Sequence, residues 1–237
     1  MKFYDLHAET VEHNIQQMAD FAERLGYSGL AICNSFENIE KLKELKNKIS
    51  ETESNIEVFS GAVIHAKNPQ EMNDLVNKVR EHVLIVIVAG GDYNINRAAC
   101  ENSKVNILAT PEKQRKDSGF DHVMAKLAAE NKVAVELCFR DYLHAYKKIR
   151  SYVLTHMRRN AMLAQSFDVA LIVTSGAENI WDMRAGRELA TLASACGIER
   201  EKAVRTVTDT AKWIIDRVKA VKSPEHVTAG VEIAKDE

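Results

Sequence analysis

The chain has 237 residues, of which 46% are hydrophobic, and carries a formal net charge of −2 at pH 7, a length that fits one α/β barrel (typically ~250 residues) or two small domains. A pI of about 6.5 excludes a uniformly basic nucleic-acid binder, whose domains run above about 9. The longest apolar run, Val83 to Ala89, is far shorter than the ~20 residues of a membrane helix.

Three prolines and ten glycines leave little room for linkers, and no repeat or low-complexity tract interrupts the chain. The opening MKFYDLHAE is strand-like and carries an acidic residue, unlike a signal peptide. Cys33, Cys100, Cys138 and Cys196 form no CxxC pair, so they read as reduced, mostly buried thiols of a cytoplasmic protein.

Apolar runs alternate with amphipathic helical stretches. The first strand spans Phe3 to His7. The following helix places Val11, Ile15, Met18, Ala19, Ala22 and Leu25 on one stripe, with Thr10 as N-cap and Gly26 as the stop. A second strand, Gly29 to Cys33, leads to a helix with Ile39, Leu42, Leu45 and Ile49. The third strand lies within Ile56 to Ile64, and Pro69 opens the next helix, where its missing N–H costs nothing. Val83 to Ala89 is uninterrupted apolar, as a parallel strand buried on both faces should be. Val105 to Leu108, Val133 to Leu137 and Val169 to Val173 complete about seven strands. One long helix is expected from Asp141 to Phe167 and another from Glu199 to Val221. Such βα units predict a parallel sheet, and seven of them favour a closed, distorted TIM-type α/β barrel. A doubly wound open sheet is the structural alternative. Residues 1–223 form this single domain, and the acidic tail 224–237 is expected to fray.

Strand ends carry an α/β barrel's working surface. His7 and Glu9, two apart, share one face of a strand, the spacing of a metal-ligand pair. His65 and Glu136 are plausible additional ligands, but no spacing brings them together, and a hydrogen-bonded histidine at the mouth is the simpler reading. Gly90-Gly91-Asp92 reads as a tight turn. Ser175-Gly176 follows a strand as phosphate-cradling loops do, with Asp182 and Arg184 positioned for an ion pair at the rim.

Charge is unevenly distributed. Residues 1–57 hold 6 Lys/Arg against 11 Asp/Glu, whereas residues 104–159 hold 12 against 6. Arg140, Lys147, Lys148, Arg150, Arg158 and Arg159 stand against Asp141 alone between 140 and 159, interleaved with His144, Tyr146, Tyr152 and His156. Arginines among aromatic side chains suit RNA, because guanidinium and ring planes stack on unpaired bases. Lys113, Arg115 and Lys116 form a second basic cluster. Helical geometry prevents 147, 150 and 158 from facing the same way as 148 and 159. The sequence contains no GxSxG, Walker or HExxH motif.

The DLHAE start, VELCFRDYL, the helix with RRNAMLA, and VTSGAENIWDMR followed by GRELATLASACGI resemble, over essentially the full length, archaeal ribonuclease P protein component 3. That family is the counterpart of the roughly thirty-kilodalton eukaryotic subunit. It is related to the PHP-type metal phosphoesterases and shares their distorted barrel. Where those enzymes carry His-x-His and Asp-His, this chain has Glu9 and Cys33-Asn34, and Val63 stands where they often carry glutamate. The resemblance implies a subunit of the ribonucleoprotein that removes 5′ leaders from precursor tRNA. Its partners would be ribonuclease P RNA, precursor tRNA, a small ferredoxin-like subunit and other protein subunits. Mg²⁺ would enter through the catalytic RNA, with no cofactor on this chain. RNA contacts are expected from the two basic clusters with Ser175 and Arg184, and His7, Glu9, His65 and Glu136 would be vestiges of a metal site. A metal-dependent phosphoesterase and a barrel used purely for protein assembly are the competing readings.

Overall fold

The computed structural model describes residues 1–10, 14–222, 226–228 and 231–232. Seven parallel strands pair in chain order: β1 (Phe3–Ala8), β2 (Tyr27–Ser35), β3 (Glu57–Ile64), β4 (Ile85–Ala89), β5 (Ile107–Ala109), β6 (Ala134–Cys138) and β7 (Leu171–Thr174). The intervening helices are α1 (Ile15–Arg24), α2 (Ile39–Ser50), α3 (Pro69–Val79), α4 (Tyr93–Glu101), α5 (His122–Asn131), α6 (Phe139–His144) and α7 (Lys148–Ser166). After β7 come α8 (Gly186–Ala195), α9 (Arg200–Arg205) and α10 (Asp209–Val221). A short antiparallel pair, β8 (His226–Thr228) with β9 (Val231–Glu232), follows. The rest of the acidic tail, like Val11, lies outside the described residues.

Alternation along the strands divides the core in two. Leu6, Cys33, Val63, Ile87, Ile107 and Ile172 pack into the barrel interior, while Ile32, Ile64, Val88, Leu108, Val135 and Val173 face the helices, as a period of two requires. Gly61 is interior because a Cβ there would lie 2.1 Å from Cys33 Sγ. Ala211, Ile214 and Ile215 of α10 join the interior cluster, and Val207 O accepts from Tyr4 N at 2.9 Å. The last helix therefore plugs the end where the strands begin, leaving the strand C-termini as the open mouth.

The barrel closes through an irregular seam. β7 has four residues and forms no ladder with β1; an isolated bridge joins Ala8 to Ala177, three residues past the end of β7. Gly176 N donates to His7 O at 2.9 Å and Glu9 N to Ala177 O at 2.7 Å.

Four local expectations are corrected. Thr10 does not cap α1, which begins at Ile15 after Asn14; the Thr10 backbone is instead bonded on both sides by the Asn34 amide, at 3.1 and 2.9 Å. The helix expected from Asp141 to Phe167 breaks between α6 and α7, where Lys147 takes φ 47°. Arg150 takes up the carbonyls released there, donating to Ala145 O at 2.8 Å and Leu143 O at 3.0 Å. The helix expected from Glu199 to Val221 breaks at Thr206–Thr208, whose hydroxyls bond back to Ala203 O and Val204 O and compete with the helical ladder. Arg184 is not paired with Asp182: it donates to Trp181 O and Met183 O, while Asp182 accepts from Asn179 and meets His144 Nε2 at 3.1 Å.

Candidate nucleic-acid interface and barrel mouth

Strand ends β1 and β6 bring His7 and Glu136 together, the pairing that sequence spacing left open. His7 Nδ1 lies 2.6 Å from Glu136 Oε1, which also accepts from Thr174 Oγ1 at 2.5 Å. His7 Nε2 is 3.5 Å from Glu9 Oε1, so the pair two residues apart does share one face. Arg140 continues the chain of charges, donating to Glu9 at 3.2 Å and to Glu178. Burial works against charge on His7, but the Glu136 carboxylate and its hydrogen bond, aided by Glu9, outweigh it and raise the pKa to about 10. His7 is therefore an imidazolium at neutral pH. Glu9 is held low despite its burial, by His7 and Arg140.

Asp5, which the sequence reading did not single out, fastens the seam: its Oδ1 accepts from Ser175 N at 3.1 Å and His7 N at 3.3 Å. Burial pushes its carboxyl up to about 6 against those hydrogen bonds. Its position on a strand, flanked by apolar residues, gave no sign that it would reach across to β7.

These residues do not fit a metal. His7 Nδ1 is held by Glu136, its Nε2 lies 3.5 Å from Glu9 without a hydrogen-bond partner, and the Arg140 guanidinium sits between Glu9 and Glu178. His65 is exposed and bonded to Ser35 at 3.2 Å, with no hydrogen bond to His7, Glu9 or Glu136. The Asn34 amide is committed to Thr10. Among the described residues no three His, Cys, Asp or Glu side chains converge on a common point. All four cysteines are free and buried.

Only the second basic cluster lines a groove, at the strand-end rim beside the mouth. Lys113, Arg115 and Lys116, in the loop after β5, face Asp141, His144 and Tyr152 of α6 and α7 across a groove of about 660 Å³. The eleven candidate RNA contacts divide sharply. Arg140 is held between two carboxylates, Arg150 closes the α6–α7 break, and Arg184 is held by loop carbonyls. Arg115 forks onto Asp117 and reaches Gly91 O. Ser175 is buried in the seam, its Oγ accepting from Ala177 N, so it presents nothing outward. Lys113, Lys116, Arg158 and Arg159 are exposed and make no side-chain hydrogen bond or ion pair among the described residues. Lys147 and Lys148 lie over the Tyr146 and Tyr152 rings at 5.1 and 5.5 Å. Gly90 N and Gly91 N are taken by Ala109 O and Asn96 Oδ1, which leaves no phosphate cradle there. Aromatic surface sits beside the lysines, with Tyr146 68% and Tyr152 51% exposed, and Trp181, in the loop after β7, is 78% exposed. Trp181 lay within a recognised motif, but nothing in the sequence marked its ring as outward.

Among known proteins, the chain is 37% identical over 99% of its length, and 97% of the relative's, to ribonuclease P protein component 3 of Methanosarcina barkeri. Its fold superposes with TM-score 0.82 and 31% identity, covering 99% of both chains, on a chain of the cryo-EM structure of archaeal ribonuclease P with mature tRNA. A zinc-bound histidinol phosphate phosphatase from Lactococcus lactis shares the fold alone, at TM-score 0.51 and 10% identity over 92% and 94% of the two chains. The family model described as RNase P subunit p30 matches residues 2–223, and the chain belongs to that family.

Proposed function

We propose that this chain is a protein subunit of ribonuclease P that braces the catalytic RNA while 5′ leaders are cut from precursor tRNA. The observation that carries the reading is the whole-chain likeness to a subunit of an archaeal ribonuclease P bound to tRNA. The groove at the rim supports it: unpaired Lys113 and Lys116 with the exposed Tyr152 offer phosphate neutralisation and base stacking on one surface. An overall charge of −2 is compatible with this, because affinity for RNA depends on the local face. Catalysis falls to the RNA with its Mg²⁺, since the barrel mouth commits its carboxylates to His7 and Arg140; the isolated chain is inert. A small ferredoxin-like subunit and further proteins complete the particle.

The test is precursor-tRNA cleavage by the reconstituted RNA and partner subunits at moderate Mg²⁺, with and without this chain. A large drop on omission, with no cleavage by the chain alone, supports the reading. Unchanged cleavage on omission overturns it.

A further inference from the structure

The groove between the β5–α5 loop and α6–α7 carries more than positive charge. Glu112 forms part of its lining and is almost fully buried. Its Oε2 accepts from Asn160 Nδ2 at 3.0 Å, but its Oε1 has no partner. Asn160 Oδ1 is likewise without a partner, so this contact leaves polar capacity unmet beside the groove. Burial, with the nearby Asp141 charge adding to it, pushes Glu112 up to about 8, so at neutral pH it is a carboxylic acid with a proton to donate. Asp141, half-buried on α6, also lines the groove and accepts no hydrogen bond among the described residues. Burial raises its pKa too, and Lys113 opposes the rise. Tyr152 provides an exposed aromatic wall, and Lys113 and Lys116 stand unpaired at the rim.

This set of groups has a definite complement. A carboxylate accepts two parallel N–H bonds, and among the bases guanine alone offers two adjacent donors, N1–H and N2–H, beside an acceptor, O6. Cytosine and adenine present one amino group next to a ring acceptor, and uracil one N–H between two carbonyls. We propose that the groove holds an unpaired guanine nucleotide of RNA, with N1–H and N2–H on Asp141, O6 toward Glu112, the ring on Tyr152 and the phosphate between Lys113 and Lys116. Single-stranded bases are commonly read in this way, by stacking and by their Watson–Crick edge. The inference deepens the ribonuclease P reading by naming what one surface of the subunit recognises.

The full chain would be titrated, by fluorescence anisotropy at fixed salt, with a labelled uridine nonamer carrying one central guanosine. The all-uridine nonamer and its central-adenosine counterpart are the comparisons. The guanosine oligomer is expected to bind about tenfold or more tighter than either, the discrimination of one good bidentate pair. Asp141→Asn, similar in shape, should abolish that preference. Tyr152→Ala, at an exposed position, should weaken all three oligomers about tenfold. Equal affinity for the three oligomers, or a guanosine preference surviving Asp141→Asn, overturns the proposal. Neither result depends on the particle: if the chain still stimulates precursor-tRNA cleavage while the oligomers bind alike, the guanine site alone fails. If cleavage is indifferent to the chain, the ribonuclease P reading fails whatever the oligomers do.

Discussion

Glu136→Gln isolates the buried ion pair at the barrel mouth. The substitution keeps the shape and leaves an oxygen to accept from both His7 Nδ1 and Thr174 Oγ1, but it removes the charge opposite His7. The rise in the His7 pKa from 6.5 to about 10 corresponds to about 5 kcal/mol of differential stabilisation at 1.36 kcal/mol per unit. Removing one partner of a buried pair costs about 3–5 kcal/mol by an independent route. The variant should therefore be about 4 kcal/mol less stable than wild type near pH 6. The sign with pH follows from linkage. The folded pKa of His7 lies above its unfolded value, so the contribution is fully present below 6.5 and is lost as pH rises through 10. The gap between wild type and variant should close over that window. Asp5 and Glu112 also titrate, but they do so in both proteins and largely cancel in the difference. Urea unfolding followed by far-UV circular dichroism at several pH values, extrapolated linearly, measures the gap. A gap below about 1 kcal/mol at pH 6, or one unchanged from pH 6.5 to 10, would show that His7 is not held as an imidazolium.

Glu112→Gln should stabilise the free protein as pH rises from 4.5 to 8, by up to about 5 kcal/mol, because the folded state holds a proton that the unfolded chain releases; identical stability curves across that range would refute it. Gly176→Ala should cost more than about 2 kcal/mol, since φ is +59° and the new Cβ would lie 2.3 Å from Cys138 Sγ; thermal unfolding of the double variant with Cys138→Ala should recover the steric part only. Lys113→Ala with Lys116→Ala should flatten the log–log salt dependence of RNA binding by about 1.4–1.8, whereas an unchanged slope for Arg158→Ala with Arg159→Ala would remove that pair from the interface. Arg150→Ala should lower stability by about 2 kcal/mol through lost charge-assisted bonds and leave the salt slope nearly unchanged, a separation that paired unfolding and binding titrations read directly.

Strands were legible because a parallel strand covered on both faces must be apolar throughout, and Val83 to Ala89 could fold as little else. Helix interruptions were not. The 206–208 break depends on threonine hydroxyls that are equally common inside helices, and the 145–147 break on an arginine that reads as surface charge until its acceptors are known. The same blindness affected the site. Spacing placed His7 beside Glu9, since a strand has a period of two, but joining His7 to Glu136 requires closure of a barrel across 129 residues. Arg140 and Lys113 look alike as sequence, yet one is clasped by Glu9 and Glu178 and the other is open. Positive charge was visible in the chain, and its availability was a property of the fold.

That difference in availability follows from how the barrel closes. β7 is too short to form a ladder with β1, so the seam needs other bonds, and the groups supplying them are Asp5, Glu136, Thr174 and the Ser175–Ala177 backbone. Carboxylates gathered at strand ends repel one another unless a cation lies among them. Here the cations come from the chain itself, an imidazolium at His7 and a guanidinium at Arg140, each fixed by two carboxylates. Two cations against Glu9, Glu136 and Glu178 leave the mouth net acidic, with neither cation free to grip a phosphate. A partner with a charged backbone must then be met by other cations, and the open ones among the candidate contacts lie along the β5–α5 loop and α7. Closing the seam with internal cations and binding through the rim groove are thus two consequences of one arrangement, and Arg140→Met probes their link. Freed of the guanidinium, Glu9 and Glu178 would make the mouth more acidic, so stability should fall while the salt slope for RNA stays as in wild type. A slope that falls with stability would place Arg140 in the interface after all.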